Sequence, residues 1–157
     1  MRFTLGIPAA RSAAWRAASP TRIVAVGDGA PVSITIGALI ALPDDLQGWM
    51  QASLRLGLAA GATLAVGGMV DRHTAKGWPM RLVDARVVVD GEVVETRLAA
   101  FYRFFEYGGV ALARAAGAEP DPDRGRAVLD LLATAEPDWS DAVVAVHQLW
   151  EDVEPAS

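Results

Sequence analysis

The chain has 157 residues and is 52% hydrophobic, enough to bury a real core as one domain. With 14 basic and 19 acidic residues, a net charge of −5 and no basic run, it is poorly suited to neutralising nucleic-acid phosphates, so no nucleic-acid partner is expected. Cysteine is absent, which excludes disulfides, thiolate metal sites, cysteine nucleophiles and lipidation of an N-terminal cysteine.

No apolar run reaches the roughly 18 residues of a membrane span, so no membrane insertion is expected. Met1 to Pro20 carries Arg2, Arg11 and Arg16 among alanines and lacks the apolar centre of a secretory signal. The expected location is the cytoplasm.

In chain order, "RFTLGIP" (2–8) alternates Phe3 and Leu5 with polar neighbours and opens as a short strand. Residues 11–20 read as a link with a turn at Ser19-Pro20. "TRIVAVGDG" predicts a strand, with Gly27-Asp28-Gly29 turning into "PVSITIGALIAL", where Val32, Ile34, Ile36, Ala38 and Ile40 share a face. "PDDLQGWMQASLRLGLAAG" predicts the first helix. Pro43, Asp44 and Asp45 suit its start, Gly61 its end, and Trp49 and Leu54 supply most of its buried stripe. Gly57 falls inside that helix and implies a close packing contact there. "TLAVGGMVDRH" reads as a strand with a Gly-Gly bulge or turn, and "KGWP" as the turn after it.

From Met80 a long hairpin follows, turning at Asp90-Gly91 and again at Gly108-Gly109. A second helix is predicted over about 123–135, with Val128, Leu131 and Leu132 as its stripe. Glu136-Pro137 stops it. A last helix, capped by Asp138 or Ser140, is expected to run through Val153 with Val143, Val146, Leu149 and Trp150 on one side. The fold class is α+β: a meandering antiparallel sheet, one inserted helix and a helical C-terminal end. The chain is read as a single domain, with a core over 1–135 and a helical extension over 136–157.

A two-residue turn at Asp90-Gly91 fixes a register in which Arg86 faces Glu95 and Asp84 faces Arg97, two opposite-charge cross-strand pairs. In that register Val83, Ala85, Val87 and Val89 share a face with Leu98, Ala100, Tyr102 and Phe104. The first helix is expected to pack there. Met80, Leu82, Asp84 and Arg86 then fall on the other face with Ala99, Phe101, Arg103 and Phe105. The Gly-Gly turn adds Val110, Leu112 and Arg114. This second face holds an apolar patch among arginines, which marks either an interaction surface or the seat of the C-terminal helix.

The run "KGWPMRLVDARVVVDGEVVETRLAAFYRFFEYGGVALARAAG", with its turn, hairpin, aromatic strand and Gly-Gly step before a helix, resembles the PsbP/DcrB-like family. The likeness spans about residues 2–135 and includes "ITIGALIALPDDLQGWMQASL" as strand and helix. The resemblance implies a curved antiparallel sheet with the inserted helix on one face. Signal sequences of exported members have no counterpart here, and the cytoplasmic members it most resembles are Eag-type effector chaperones of the type VI secretion system. These are homodimers that hold apolar N-terminal helices of a secreted effector on the concave sheet face. Carried over, Leu82, Arg97, Phe101, Arg103, Phe105 and Leu112 would form the partner-binding surface. Pro137 to Ser157 extends beyond the family core. The alternative is a self-contained small-ligand-binding or accessory domain whose second face is closed by its own C-terminal helix.

Enzyme chemistry finds little footing. Asp71 and His73 share a strand face but lack a third metal ligand nearby. His147 sits beside Val143 and Trp150 on the expected last helix. "DPDRGR" (121–126) reads as a helix start rather than a calcium loop. With no phosphate loop, dinucleotide fingerprint or nucleophile elbow, the expectation is a non-enzymatic protein without cofactor or metal.

Overall fold

A computed structural model describes residues 2–7, 15–26, 31–118 and 121–138. The elements run β1 (Arg2–Thr4), β2 (Trp15–Ser19), β3 (Arg22–Ala25), β4 (Val32–Ile36), β5 (Ile40–Ala41) and α1 (Leu46–Leu54). They continue with β6 (Thr63–His73), β7 (Pro79–Val89), β8 (Glu92–Phe104), β9 (Tyr107–Ala116), α2 (Pro122–Leu132) and β10 (Glu136–Asp138). The main sheet has the order β2-β3-β4-β9-β8-β7-β6, with β5 paired to β9, and β1 pairs with β10 as a separate two-stranded ribbon. Every pairing is antiparallel, which gives the expected α+β class.

The chemistry of the ends explains the helices. Asp45 caps α1 by accepting from the Gly48 amide at 2.9 Å. The helix ends at Leu54, short of the expected Gly61. Gly57 lies past that end at φ +68°, a left-handed conformation that stops a helix, so it is a terminator rather than an interior contact. Pro122 opens α2 behind Asp121, and Val128, Leu131 and Leu132 are buried as expected. The expected C-terminal helix and the Gly27-Asp28-Gly29 turn lie outside the described residues.

The register of β7 on β8 departs from the sequence expectation. Val89 does face Glu92 across Asp90-Gly91, but Val88 faces Val93 and Val87 faces Glu95, so Val94 is the extra residue of a β-bulge. Arg86 therefore faces Thr96, Asp84 faces Leu98, and Ala85 faces Arg97. A slip by one residue exchanges faces along the rest of the strand. Met80 and Leu82 join Tyr102 and Phe104, while Val83 and Ala85 join Phe101 and Leu112. The exchange places Met80 and Leu82 in the larger core, where each buried side chain contributes roughly 1.5–3 kcal/mol. The forgone cross-strand ion pairs are worth only about 0.2–1 kcal/mol each.

The next turn also differs from the expected Gly108-Gly109. It is Phe105-Glu106, with Phe104 facing Tyr107. Gly108 and Gly109 belong to β9 instead. A Cβ on Gly109 would lie 2.7 Å from the Phe3 ring, so glycine there admits β1 against the sheet.

Why β8 is apolar on both sides is now plain: the chain covers both faces. On one, Tyr102 and Phe104 are buried with Phe3, Leu131 and Leu132 beneath β1 and α2, and the Tyr102 hydroxyl donates to the Leu132 carbonyl at 2.6 Å. Burial pushes that phenol above its ordinary pKa. Trp15, read from sequence as part of a link, is 4% exposed on β2 and belongs to the same core. On the other face lies α1. Leu54 is buried against Val83, Ala85, Ala99, Phe101 and Leu112. The helix thus keeps the expected β7 partners but sits on the opposite face of β8.

Candidate functional site: an apolar groove beside a short helix

With nine residues, α1 spans roughly 14 Å and covers only the middle of its sheet face. A groove of about 360 Å³ opens between the helix and strands β6–β8. Leu46, Trp49 and Met50 form the helix wall, and Phe101 lies on the sheet side. Trp49 meets Phe101 edge-on, with ring centroids 5.3 Å apart and planes at 72°. This is a favourable quadrupole geometry that holds both rings in place. Leu46 is 48% exposed, and farther along the same sheet edge Met69 on β6 is 60% exposed. A second apolar hollow of about 270 Å³ lies on the far side of α1, against Thr35, Val110 and Leu112.

The groove mouth is charged. Arg81 grips Asp71 with two hydrogen bonds, Nε to Oδ1 at 2.7 Å and Nη2 to Oδ2 at 3.1 Å. The hydrogen bond from Arg81 holds the Asp71 carboxyl below its ordinary pKa, and the same contact raises that of Arg81. His73 and Arg103 complete the rim, while Arg72, paired with Met80, turns its side chain to the other face. Among the described residues no group of three His, Cys, Asp or Glu side chains is placed to hold a metal.

The sequence-derived binding residues separate into three groups. Phe101 and Leu112 share the face expected of them, but at 6% and 4% exposure they lie beneath α1 and form its seat rather than a bare surface. Leu82 belongs to the opposite core, moved there by the bulge at Val94. Arg103 reaches the groove rim, and its Nε donates to the Phe105 carbonyl at 3.1 Å. Phe105 is on neither sheet face. It occupies the β8–β9 turn at φ +59° and is 68% exposed, with its ring edge-on to Trp78 at 5.1 Å.

Arg97 has a different task from the one expected. It is 1% exposed and donates to Glu95 Oε1 at 2.6 Å, to the Leu54 carbonyl at 2.5 Å and to the Leu56 carbonyl at 2.9 Å. The Leu54 carbonyl closes α1 and the Leu56 carbonyl lies just past its end, so the guanidinium caps the helix and pins it to the sheet. Glu95 also accepts two bonds from Arg114, at 3.0 and 2.9 Å. Burial alone would raise the Glu95 pKa, but the hydrogen bonds and charges of Arg114 and Arg97 outweigh it and hold the carboxyl below its ordinary range.

Trp49 and Phe101 were legible in sequence as apolar. Asp71, Arg81, Leu46 and Met50 were not read as site residues, because only the β6–β7 pairing brings the rim to the helix.

Sheet, helix and groove together define a class: an α+β scaffold with an apolar recess next to a short, pinned helix. Among solved structures the chain is similar to the solution structure of cyanobacterial PsbP (CyanoP) from Synechocystis sp. PCC 6803. The likeness has 12% sequence identity and a TM-score of 0.48, covering 87% of this chain and 93% of that one. No family model matches the sequence, and no curated protein matches it. The fold class rests on the strand pairing and helices described above. Among the described residues no helix is long and apolar enough to cross a membrane.

Proposed function

We propose that this protein is a non-enzymatic binding module that receives an apolar segment of another polypeptide beside α1. The observation that carries this reading is the open groove of about 360 Å³, walled by Leu46, Trp49 and Met50 and backed by Phe101. An amphipathic helix laid in such a groove gains affinity from a few apolar anchors, and an exposed apolar recess rimmed by polar groups suits that use. The charged pair at the mouth, Asp71 with Arg81, is locked to itself, which favours binding over proton transfer.

The resemblance supplies the specific form of the proposal. The occupant is an apolar helix of a type VI secretion effector, held in the cytoplasm by a homodimer. The place differs from the bare concave face expected at first, since Phe101 and Leu112 are already under α1. Small-ligand binding is the second reading, because the groove volume falls within the roughly 300–1,000 Å³ of small-molecule pockets.

Titration calorimetry with a synthetic apolar helical peptide, and separately with decanoate, tests both readings. Peptide binding to wild type is expected to weaken about tenfold or more in Leu46→Glu, which sets an unpaired charge in the groove wall. Leu46 is half exposed, so the melting temperature is expected to hold. Binding of decanoate but not peptide favours the second reading, and binding of neither removes the groove as a site.

A further inference from the structure

We propose that the outer edge of β6 is an interface with a second copy of this chain, joined strand to strand about a two-fold axis through Gly67-Gly68. This gives the homodimer of the reading above its contact surface, and it stands independently of what fills the groove. β6 is the last strand of the main sheet, with 11 residues, and its outer edge has no partner among the described residues. Such an edge offers a row of backbone donors and acceptors, which proteins usually guard with proline, lysine or inward-turned charge. "TLAVGGMVDRH" has neither proline nor lysine, and its Asp71 is neutralised by Arg81 within the same sheet. Val66 and Met69 are more than half exposed, and Val70 nearly so. The one guard is a bulge between Val66 and Met69, where Gly67 and Gly68 together oppose Asp84.

That bulge makes the edge self-complementary. In a regular strand Val66 and Met69 would point to opposite sides. Here Val66 lies beside Ala85 and Met69 beside Val83, both buried in the core under α1. Ala65 and Val70 share the other face, beside Arg86 and Leu82. An antiparallel second copy centred on the glycine pair sets Val66 against that copy's Met69, and Ala65 against its Val70, each pair twice. Apolar side chains then leave water on both faces, and the row Ala85-Val66 continues into Met69-Val83 of the second copy. Asp71 falls opposite Leu64 and Arg72 opposite Thr63, so no like charges meet. A pairing centred on Asp71 would set that carboxylate against itself. A regular foreign strand would meet the bulge one residue against two, whereas a second copy meets it two against two. Because an axis perpendicular to the sheet preserves its faces, the two α1 grooves open on the same side of one continuous sheet.

Sedimentation of the full chain is expected to show a dimer at roughly 100 μM. Met69→Lys and Val70→Lys, made separately, place a charge on either face of the edge. Each substitution counts twice in a symmetric dimer and is expected to weaken it about tenfold or more. Both positions are exposed, so melting measured where wild type is dissociated is expected to be unchanged. Thiol pairing reads the register, since the chain has no cysteine of its own. Val66→Cys and Met69→Cys, oxidised separately, are expected to stay single, and when mixed to join as a covalent pair. A wild type that stays single overturns the inference, as does a dimer that both lysine variants leave intact. Cross-linking of either cysteine variant alone moves the axis off the glycine pair and overturns the register. A monomer whose β6 amides gain hydrogen-exchange protection only with an added strand peptide assigns the edge to a foreign strand and overturns self-pairing. Val70 lies on the face away from α1, so calorimetry of Val70→Lys with the apolar helical peptide reads the groove separately from the dimer.

Discussion

The two faces of the sheet are finished in different ways. Beneath α2 and β1, Phe104, Leu132 and Ile34 are fully buried, and Tyr102 ties the helix down by one hydrogen bond. Beneath α1 the core is smaller, flanked by open hollows on both sides, and held by a guanidinium. The first face is a closed core in which packing sets stability. On the second, a polar latch positions a helix and leaves apolar surface available. This contrast places function on the α1 face, because a recess needs walls that stay put without being filled.

The comparison can be broken most sharply with the same truncation on each face. Phe104→Ala is expected to cost about 3–5 kcal/mol in chemical denaturation, since its ring sits at 0% exposure among Phe3, Tyr102 and Trp78. Phe101→Ala is expected at or below the low end of that range, about 3 kcal/mol, because its neighbours border an open groove. Equal losses would erase the distinction between closed core and open face.

Next in size is the latch. Arg97→Ala strips the Leu54 and Leu56 carbonyls of their donor and is expected to cost about 3 kcal/mol, the scale of breaking a buried ionic contact. Hydrogen exchange is expected to show protection lost in α1 and retained in α2. Uniform loss across both helices would mean that Arg97 serves the whole fold rather than one face.

A pH series sharpens the same point. The folded Glu95 pKa lies below its ordinary value of 4.5. The stability it contributes is therefore present above about pH 4.5 and is lost as pH falls through the lower, folded value. The gap in melting temperature between wild type and Glu95→Gln is expected to be widest near neutral pH and to narrow in acid. A gap that widens in acid would contradict the assigned direction.

The smallest effect belongs to the β8–β9 turn. Phe105→Asp is expected to change stability by only about 0.5 kcal/mol, because relief of the left-handed strain at φ +59° balances the lost edge contact with Trp78. Phe101→Asp, by contrast, buries an unpaired charge and is expected to unfold the domain. Sequence alternation alone places the two phenylalanines on one face of a strand.

Much of the candidate site was half legible for this reason. Phe101, Leu112 and Arg97 were grouped correctly across β8 and β9, since strict alternation holds between two unbulged strands. Leu82 was misassigned because Val94 bulges and reverses parity along β7. Nothing in "VVVDGEVVE" announces that extra residue, and the rejected register offered attractive charge pairs. Arg97 read as a surface cation because its partners are backbone carbonyls far along the chain, at Leu54 and Leu56.

The sequence by itself determined most of the local elements, though not β2, the β8–β9 turn or the end of α1. Alternation made the strands, Asp45 and Asp121 started the helices, and Asp90-Gly91 made a hairpin, because each depends on residues within a few positions of one another. Only the tertiary structure decided which face of β8 each helix covers, that Gly109 admits Phe3, and that a buried arginine holds α1 over Phe101 beside an open groove. Those choices are set by total burial across distant strands, where several kilocalories outweigh the tenths that local charge pairing offers.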